Sequence, residues 1–150
     1  MADVTVQGAE AFLALSKRLK ATGQGDLRKE LNKALRAAAK PVSVATKAEA
    51  RSRLPKRGGL AAAIARTPQR VQVRTGAATA GVRVVVGGKG GAARTTDEGF
   101  VRHPVFGGSV FVRQNVRGGW FSETAEKQTP AIREGVVSVL EDIVQKMARP

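Results

Sequence analysis

The sequence has no cysteine and few aromatic residues, and its acidic residues are fewer than half as many as its basic ones. Without cysteine, disulfides, thiolate metal sites and cysteine nucleophiles are excluded. No apolar run approaches the roughly 20 residues needed to cross a bilayer, and the N-terminal MADVTVQGAE has no signal-peptide pattern. We therefore expect no contact with a membrane, and a chain that stays in a cytoplasm until it is assembled into something larger.

Positive charge is concentrated in one part of the chain. The net charge is +14, from 26 Lys and Arg against 12 Asp and Glu. Residues 17–74 hold 16 Lys and Arg and three acids, a net +13, whereas residues 115–150 hold five of each sign. Such asymmetry indicates a polyanionic partner, either nucleic acid or an acidic protein surface. The alternative is a solvated helix face in a very basic protein.

The first half of the chain predicts helices. Apolar residues recur at spacings of three and four over residues 9–21, and again from Asp26 onward. The second helix should end before Pro55, because the residue before a proline disfavours the helical conformation. Pro41 lies inside this run, so a kink or a division into two helices is expected there. Helical structure is thus predicted over residues 9–65.

The middle of the chain predicts strands. After Pro68 the apolar period changes to two, and a hairpin is predicted with its turn around residues 75–80. Two further extended segments, 100–103 and 110–116, should complete an antiparallel sheet over residues 69–116, with the second of them mostly buried. Glycine and small polar residues predict a flexible loop over residues 87–99.

The C-terminal residues 120–148 predict an amphipathic helix that packs on this sheet, with a kink or a break at Thr129-Pro130. Its apolar stripe runs through Ile132, Val136, Leu140, Ile143 and Met147. Helices, then a sheet, then a helix make an α+β fold, an antiparallel sheet packed by a long N-terminal helical region and the C-terminal amphipathic helix. We expect one domain over residues 1–150.

Residues suited to catalysis are scarce. His103 is the only histidine, so it has no second histidine or cysteine with which to bind a metal, and no acid is clearly placed to orient it. The glycine-rich GGKGG at residues 87–91 lacks the spacing of a Walker loop, and no helical stripe follows it, as a dinucleotide site requires. We therefore predict no enzyme, no cofactor and no metal.

Aromatic residues are concentrated in FVRHPVFGGSVFVRQNVRGGWFSET, residues 100–124, which holds four of the five phenylalanines and the only tryptophan. Interleaved arginines make a base-stacking surface one interpretation. The apolar neighbours of the aromatic residues favour another, a structural seam that joins the sheet to the C-terminal helix. The predicted seam consists of Phe106, Phe111, Trp120 and Phe121, with Trp120 against Phe106 or Phe111.

The same segment carries a family resemblance. A RHPVFG strand, a short return strand and GWF at the start of a helix, preceded by the basic turn LPKRGGLAAAI, resemble the HK97-type tail-completion family of tailed-phage neck proteins. The similarity extends from about Asp26 to Lys146 and is most specific over residues 100–124. It implies a structural virion protein of a siphovirus-like phage with no catalytic residues.

The resemblance also implies partners and a location. Copies should form a homo-oligomeric ring, expected to be hexameric, in the neck of the virion after assembly in the host cytoplasm. The ring would lie between the head connector or head-completion protein and the tail terminator or tail tube protein. Packaged double-stranded DNA would pass through the lumen, with non-specific contacts from Arg51, Arg53, Lys56 and Arg57 as the best candidates. Alternatives are a tail terminator ring and a non-phage, sequence-independent nucleic-acid-binding protein.

Overall fold

A computed structural model of the chain describes residues 3–5, 9–21, 23, 25–74, 81–87, 91–105 and 108–148. Its α+β fold is the class predicted from the sequence. The helices are α1 (Ala9–Ala21), α2 (Gly25–Arg53), α3 (Leu60–Arg66), α4 (Ala92–Asp97) and α5 (Ser122–Ala148). The strands are β1 (Asp3–Thr5), β2 (Gln69–Arg74), β3 (Gly81–Val86), β4 (Phe100–Pro104) and β5 (Phe111–Asn115). None of the described helices is long and apolar enough to span a membrane.

Helix α2 is the central element of the fold. Its 29 residues extend about 43 Å at 1.5 Å per residue, and α1, α3, α5 and strands β2 and β3 all pack against it. The buried residues recur every three or four positions: Leu31, Leu35, Ala39, Val42, Thr46 and Ala50. This spacing places them on one face, which forms the middle of the hydrophobic core.

Pro41 does not divide α2, so that part of the sequence prediction is wrong. The helix is continuous from Gly25 to Arg53 with Pro41 inside it. Pro41 is exposed, while Ala39 and Val42 on either side of it are fully buried. Proline has no N–H to donate to the carbonyl one turn earlier. On the exposed side of the helix water can satisfy that carbonyl, and core packing on the other side keeps the helix continuous.

Strands β1, β3 and β2 form a three-stranded antiparallel sheet in that order. The predicted hairpin is present, with Gln69 paired to Val86 and Arg74 paired to Gly81; its connecting residues 75–80 lie outside the described part. As the central strand, β3 buries Val82, Val84, Val85 and Val86. This two-sided burial explains why the apolar alternation fails at Val85.

Strands β4 and β5 form a separate two-stranded sheet, so the prediction of one sheet over residues 69–116 is corrected. They pair as an antiparallel hairpin with Pro104 opposite Phe111. Every residue of β5 is exposed, although its apolar run predicted burial. No pattern within a strand reveals whether another layer is available to cover it, and the amphipathic helix α5 packs along α2 instead.

Helix α5 lies mainly against α2 and reaches β1, rather than covering the sheet as predicted. Ile132 and Ile143 are buried in this contact. A side chain on Gly135 would come within 3.3 Å of the Ala38 methyl group, so the two helices approach closely there. Lys146 forms an ion pair with Glu30 at the far end. Pro130 lies inside α5 without the predicted break.

The predicted flexible loop over residues 87–99 is wrong at residues 92–97, which form α4. The segment lacks an apolar stripe, but it has local polar contacts that an apolar pattern does not detect. The Thr96 hydroxyl donates to the Ala92 carbonyl at 2.7 Å, and Arg94 pairs with Glu98 at 2.6 Å. Thr96 is also fully buried, so tertiary contacts hold this short helix.

Candidate nucleic-acid interface

The solvent face of α2 carries a line of basic side chains, which we call the α2 ridge. No acidic residue occurs between positions 31 and 48. The spacings of three, four and seven residues place these side chains on one face of the helix, over about 27 Å, or most of one turn of a B-form duplex. The ridge consists of Lys33, Arg36, Lys40 and Arg51, all exposed, and the half-buried Lys47.

Three of the four predicted DNA-contact residues are exposed, one on this ridge and two in the turn beyond it. Arg51 lies at its C-terminal end, and Lys56 and Arg57 lie in the turn that follows α2. Gly58 and Gly59, both with φ of 76°, turn the chain from this point into α3. The left-handed conformation at two successive residues strongly favours glycine, which is why the basic turn has the sequence KRGG.

Arg53 has a different role from the one predicted, because its guanidinium group is held inside the protein. The Arg53 side chain is only 11% exposed, and it lies 2.9 Å from Glu49 and 2.6 Å from Glu123. It also donates to the backbone carbonyls of Gly118 and Gly119. Arg53 therefore joins the end of α2 to the start of α5 and is not available to a phosphate.

The ion pairs of Arg53 alter the titration of both carboxylates. Its hydrogen bond, helped by one from Ser52, lowers the pKa of Glu49 below the usual value. Its hydrogen bond to Glu123 likewise lowers the pKa of that carboxyl. The two carboxylates in turn raise the pKa of Arg53. At neutral pH the guanidinium and both carboxylates are therefore ionised, and these three groups carry a net charge of −1.

The basic turn also borders a groove of about 550 Å³ beneath the β4–β5 hairpin. Arg57 and Leu60 line one side, and Val101, His103 and Gln114 line the other. His103 is exposed here. Within the described residues no group of three or more His, Cys, Asp or Glu is placed to hold a metal ion.

Two of the four predicted seam residues lie in the core. Trp120 and Phe121 are fully buried and meet edge to face, with ring centroids 5.8 Å apart. The indole Nε1 donates to the Thr96 hydroxyl at 3.3 Å. Phe111 is 61% exposed on β5, so its assignment to the seam is corrected, and Phe106 lies outside the described residues.

A family comparison covers the part of the chain that contains the ridge. The family model described as "Bacteriophage HK97-gp10, putative tail-component" matches residues 14–96, more than half of the chain. The chain belongs to this family of phage tail components. No curated protein and no solved structure matches the chain significantly.

The match of this phage tail component with its family begins within α1 and ends in α4, so it includes the ridge and the basic turn. It does not include residues 100–124, on which the resemblance was most specific. The β4–β5 hairpin and α5 therefore lie in a part of the chain that the family match does not describe.

Two features of the tail component were not identified from the sequence. The net charge of residues 17–74 does not show the α2 ridge, because it carries no information about helix faces. A helical projection of residues 25–53 places the basic side chains of the ridge on one face. The second feature is the Arg113 guanidinium, which lies 4.1 Å from the centre of the Phe100 ring. Phe100 and Arg113 are 13 positions apart, and their contact depends on the register of the β4–β5 hairpin, so no local pattern in the sequence predicts it.

Proposed function

We propose that this tail component forms a ring in the neck of the virion, where it joins the DNA-filled head to the tail. The observation that carries the proposal is the α2 ridge, an acid-free basic face on the central helix of a protein from a phage tail-component family. A passing duplex would meet a wall of positive charge. Such a wall lowers the repulsion that phosphates would otherwise experience in a narrow channel.

The chemistry of the ridge suits passage of DNA rather than recognition of a sequence. Lysine and arginine side chains on a helix surface can contact phosphates, and such contacts position a duplex without reading its bases. Four of the five ridge residues are exposed, whereas Arg53, with its side chain only 11% exposed, holds α2 to α5. Specific readout would require side chains fixed against base edges, and the exposed lysines of the ridge are not fixed in this way.

A salt-dependent binding experiment tests the DNA contact. The variant K33Q/R36Q/K40Q/R51Q removes four charges from the ridge, and K17Q/K20Q/K127Q/R133Q removes four exposed charges elsewhere. Duplexes of unrelated sequence should bind the wild type equally and ever more weakly as salt rises. The ridge variant should bind more weakly, with the slope of log K against log salt reduced by about one per lost contact. Equal binding by both variants would contradict the proposal.

The ring and its position need separate measurements. Mass photometry and negative-stain images of the purified protein should show closed rings, and particles limited to monomers and dimers at every concentration would contradict the ring. In a phage from which the gene is deleted, filled heads and finished tails should accumulate unjoined. Tails of irregular length would favour the tail terminator role instead.

A further inference from the structure

We propose that an outer face of the β4–β5 hairpin docks on helix α5 of a second copy of the chain. The hairpin face carries Arg102, Phe111 and Arg113. The receiving surface is a stripe on α5 formed by Glu134, Val137, Glu141 and Val144. The inference deepens the proposed ring, on which it rests, by assigning the contact that joins neighbouring subunits.

The register of the hairpin defines its outer face. Arg102 pairs with Arg113, and Pro104 pairs with Phe111, so these four side chains project on one side. The opposite side carries Val101, His103 and Gln114 and lines the groove beside the basic turn. The outer face is therefore the side turned away from that groove, and Phe111 on it is 61% exposed.

Among the described residues, the outer face has no anionic partner. Arg102 and Arg113 lie directly opposite each other, and like charges at such positions destabilise a strand pair. Stacking of Arg113 on Phe100 offsets part of this cost. Across the described residues, neither arginine has a carboxylate within ion-pair distance. A two-stranded hairpin is only marginally stable by itself, so a surface both acidic and apolar would stabilise this one.

Helix α5 presents a surface of that composition. Val137 and Val144 are 47% and 53% exposed, and Glu134 and Glu141 are exposed beside them. Spacings of three, four and three residues align the four side chains along one stripe, with each pair of like residues about 10 Å apart. Neither glutamate forms an ion pair with another residue in the described part of the chain.

The two surfaces are complementary in both charge and polarity. Phe111 would cover the exposed valines while the paired arginines meet the glutamates, and aromatic residues and arginine are the types enriched at the centres of interfaces. Nucleic acid would also attract the two arginines. It would leave the acidic and apolar stripe on α5 without a partner, whereas a second copy matches both surfaces, so the observations favour a second copy.

The positions of the surfaces permit a head-to-tail assembly. The hairpin leads into the start of α5 at Ser122, whereas the stripe begins twelve residues later, about 18 Å along the helix axis. Each copy can therefore insert its hairpin into one neighbour and receive the hairpin of another. A contact between two different surfaces forms a closed ring when its rotation closes, and an open filament when it does not.

Charge reversal on each side, separately and together, tests the contact. The variants R102E/R113E and E134R/E141R should each raise the apparent dissociation constant of the oligomer at least about tenfold, measured by mass photometry across concentrations, because each creates like-charge contacts. The combined four-site variant should recover most of the lost assembly. R70E/R74E, which reverses two exposed arginines on β2, should assemble as the wild type does. Circular dichroism and thermal melting establish that every variant is folded.

The outcomes separate this inference from the proposed function. Rings that form equally well in every variant would overturn the assigned contact and leave the ring itself intact. A wild type that never oligomerises would overturn both. Loss of duplex binding in R102E/R113E with unchanged assembly would identify the outer face as a nucleic-acid surface and would also overturn the contact. Weakened assembly in each double variant, with recovery in the combined variant, supports it.

Discussion

The Asp97 carboxylate accepts a 2.7 Å hydrogen bond from the backbone N–H of Phe121, one residue before α5 begins. It also accepts one from the N–H of Ser122. The first N–H groups of a helix have no partner within the helix, so Asp97 acts as a cap supplied by α4. The backbone carbonyl of Asp97 accepts a third hydrogen bond, of 2.8 Å, from the N–H of Gly119. The short α4 thereby fixes where α5 starts.

Replacement of this cap should destabilise the protein. We expect Asp97→Ala to lower the free energy of unfolding by about 0.5–2 kcal/mol, the range for loss of a helix N-cap. Asp142→Ala, at an exposed position on α5, is the matched control and should have little effect. Urea unfolding followed by circular dichroism measures both, and equal midpoints would show that Asp97 does not cap the helix.

The Arg53 junction should make stability depend on acidity. Glu49 and Glu123 have pKa values below their usual 4.5 in the folded protein. Their ionised forms therefore contribute fully to the stability of the fold above about pH 4.5, and this contribution is lost as the pH falls through the lowered pKa values. The melting temperature should therefore fall as the pH is lowered below that value. In Arg53→Gln the decline should be shallower. Arg51→Gln, an exposed position two residues earlier on α2, should keep the wild-type dependence of melting temperature on pH. The same dependence in Arg53→Gln would show that Arg53 does not set the pKa values of the two carboxyls.

Gly118 should tolerate no side chain. A methyl group there would lie 2.5 Å from the Asp97 carbonyl oxygen and 2.8 Å from the Gly99 nitrogen, both of them backbone atoms. We expect Gly118→Ala to cost about 1–3 kcal/mol, as overpacking does. Gly25→Ala, where a methyl group meets nothing within 4 Å, is the control. A Gly118→Ala protein as stable as that control would mean that the junction is looser than described.

The contact between α5 and α2 should dominate the effect of core truncations. Ile143 is 2% exposed, and its neighbour Val144 is 53% exposed. Ile143→Ala should cost about 2–5 kcal/mol in the free energy of unfolding, and Val144→Ala should cost far less in the monomer. Denaturant unfolding at low protein concentration makes the comparison without interference from assembly. Similar costs at the two positions would place α5 outside the core.

Periodicity predicted those elements whose environment their own sequence specifies. The buried face of α2, with Leu31, Leu35 and Val42, follows from spacing alone, and so does the β2–β3 hairpin. The stop at Pro55 follows from the geometry of proline. Each of these depends on interactions between near neighbours, which a sequence displays directly.

The remaining differences arise from tertiary contacts. Pro41 and Pro130 are accommodated because packing elsewhere holds their helices continuous. Helix α4 depends on a buried hydrogen bond between Thr96 and Trp120, 24 positions apart. Arg53 was predicted to be a surface charge because Glu123, its partner 70 positions away, reaches it only in the folded chain; Glu49, four positions away on α2, is the one partner that the sequence displays. The exposed β5 belongs here too, since burial of a strand is decided by the layers around it.

The pairing of α2 with α5 has a consequence for how the chain is made. Ala38 and Gly135, where these helices approach each other closely, lie 97 positions apart in the sequence. During synthesis the apolar face of α2 leaves the ribosome long before α5 exists to cover it, and closing so long a loop is slow. Nascent chains should therefore expose the part of this face that α5 covers to chaperones until α5 has been synthesised. A fragment that stops at residue 96, where the family match ends, would carry the ridge but lack the cover that α5 gives to α2.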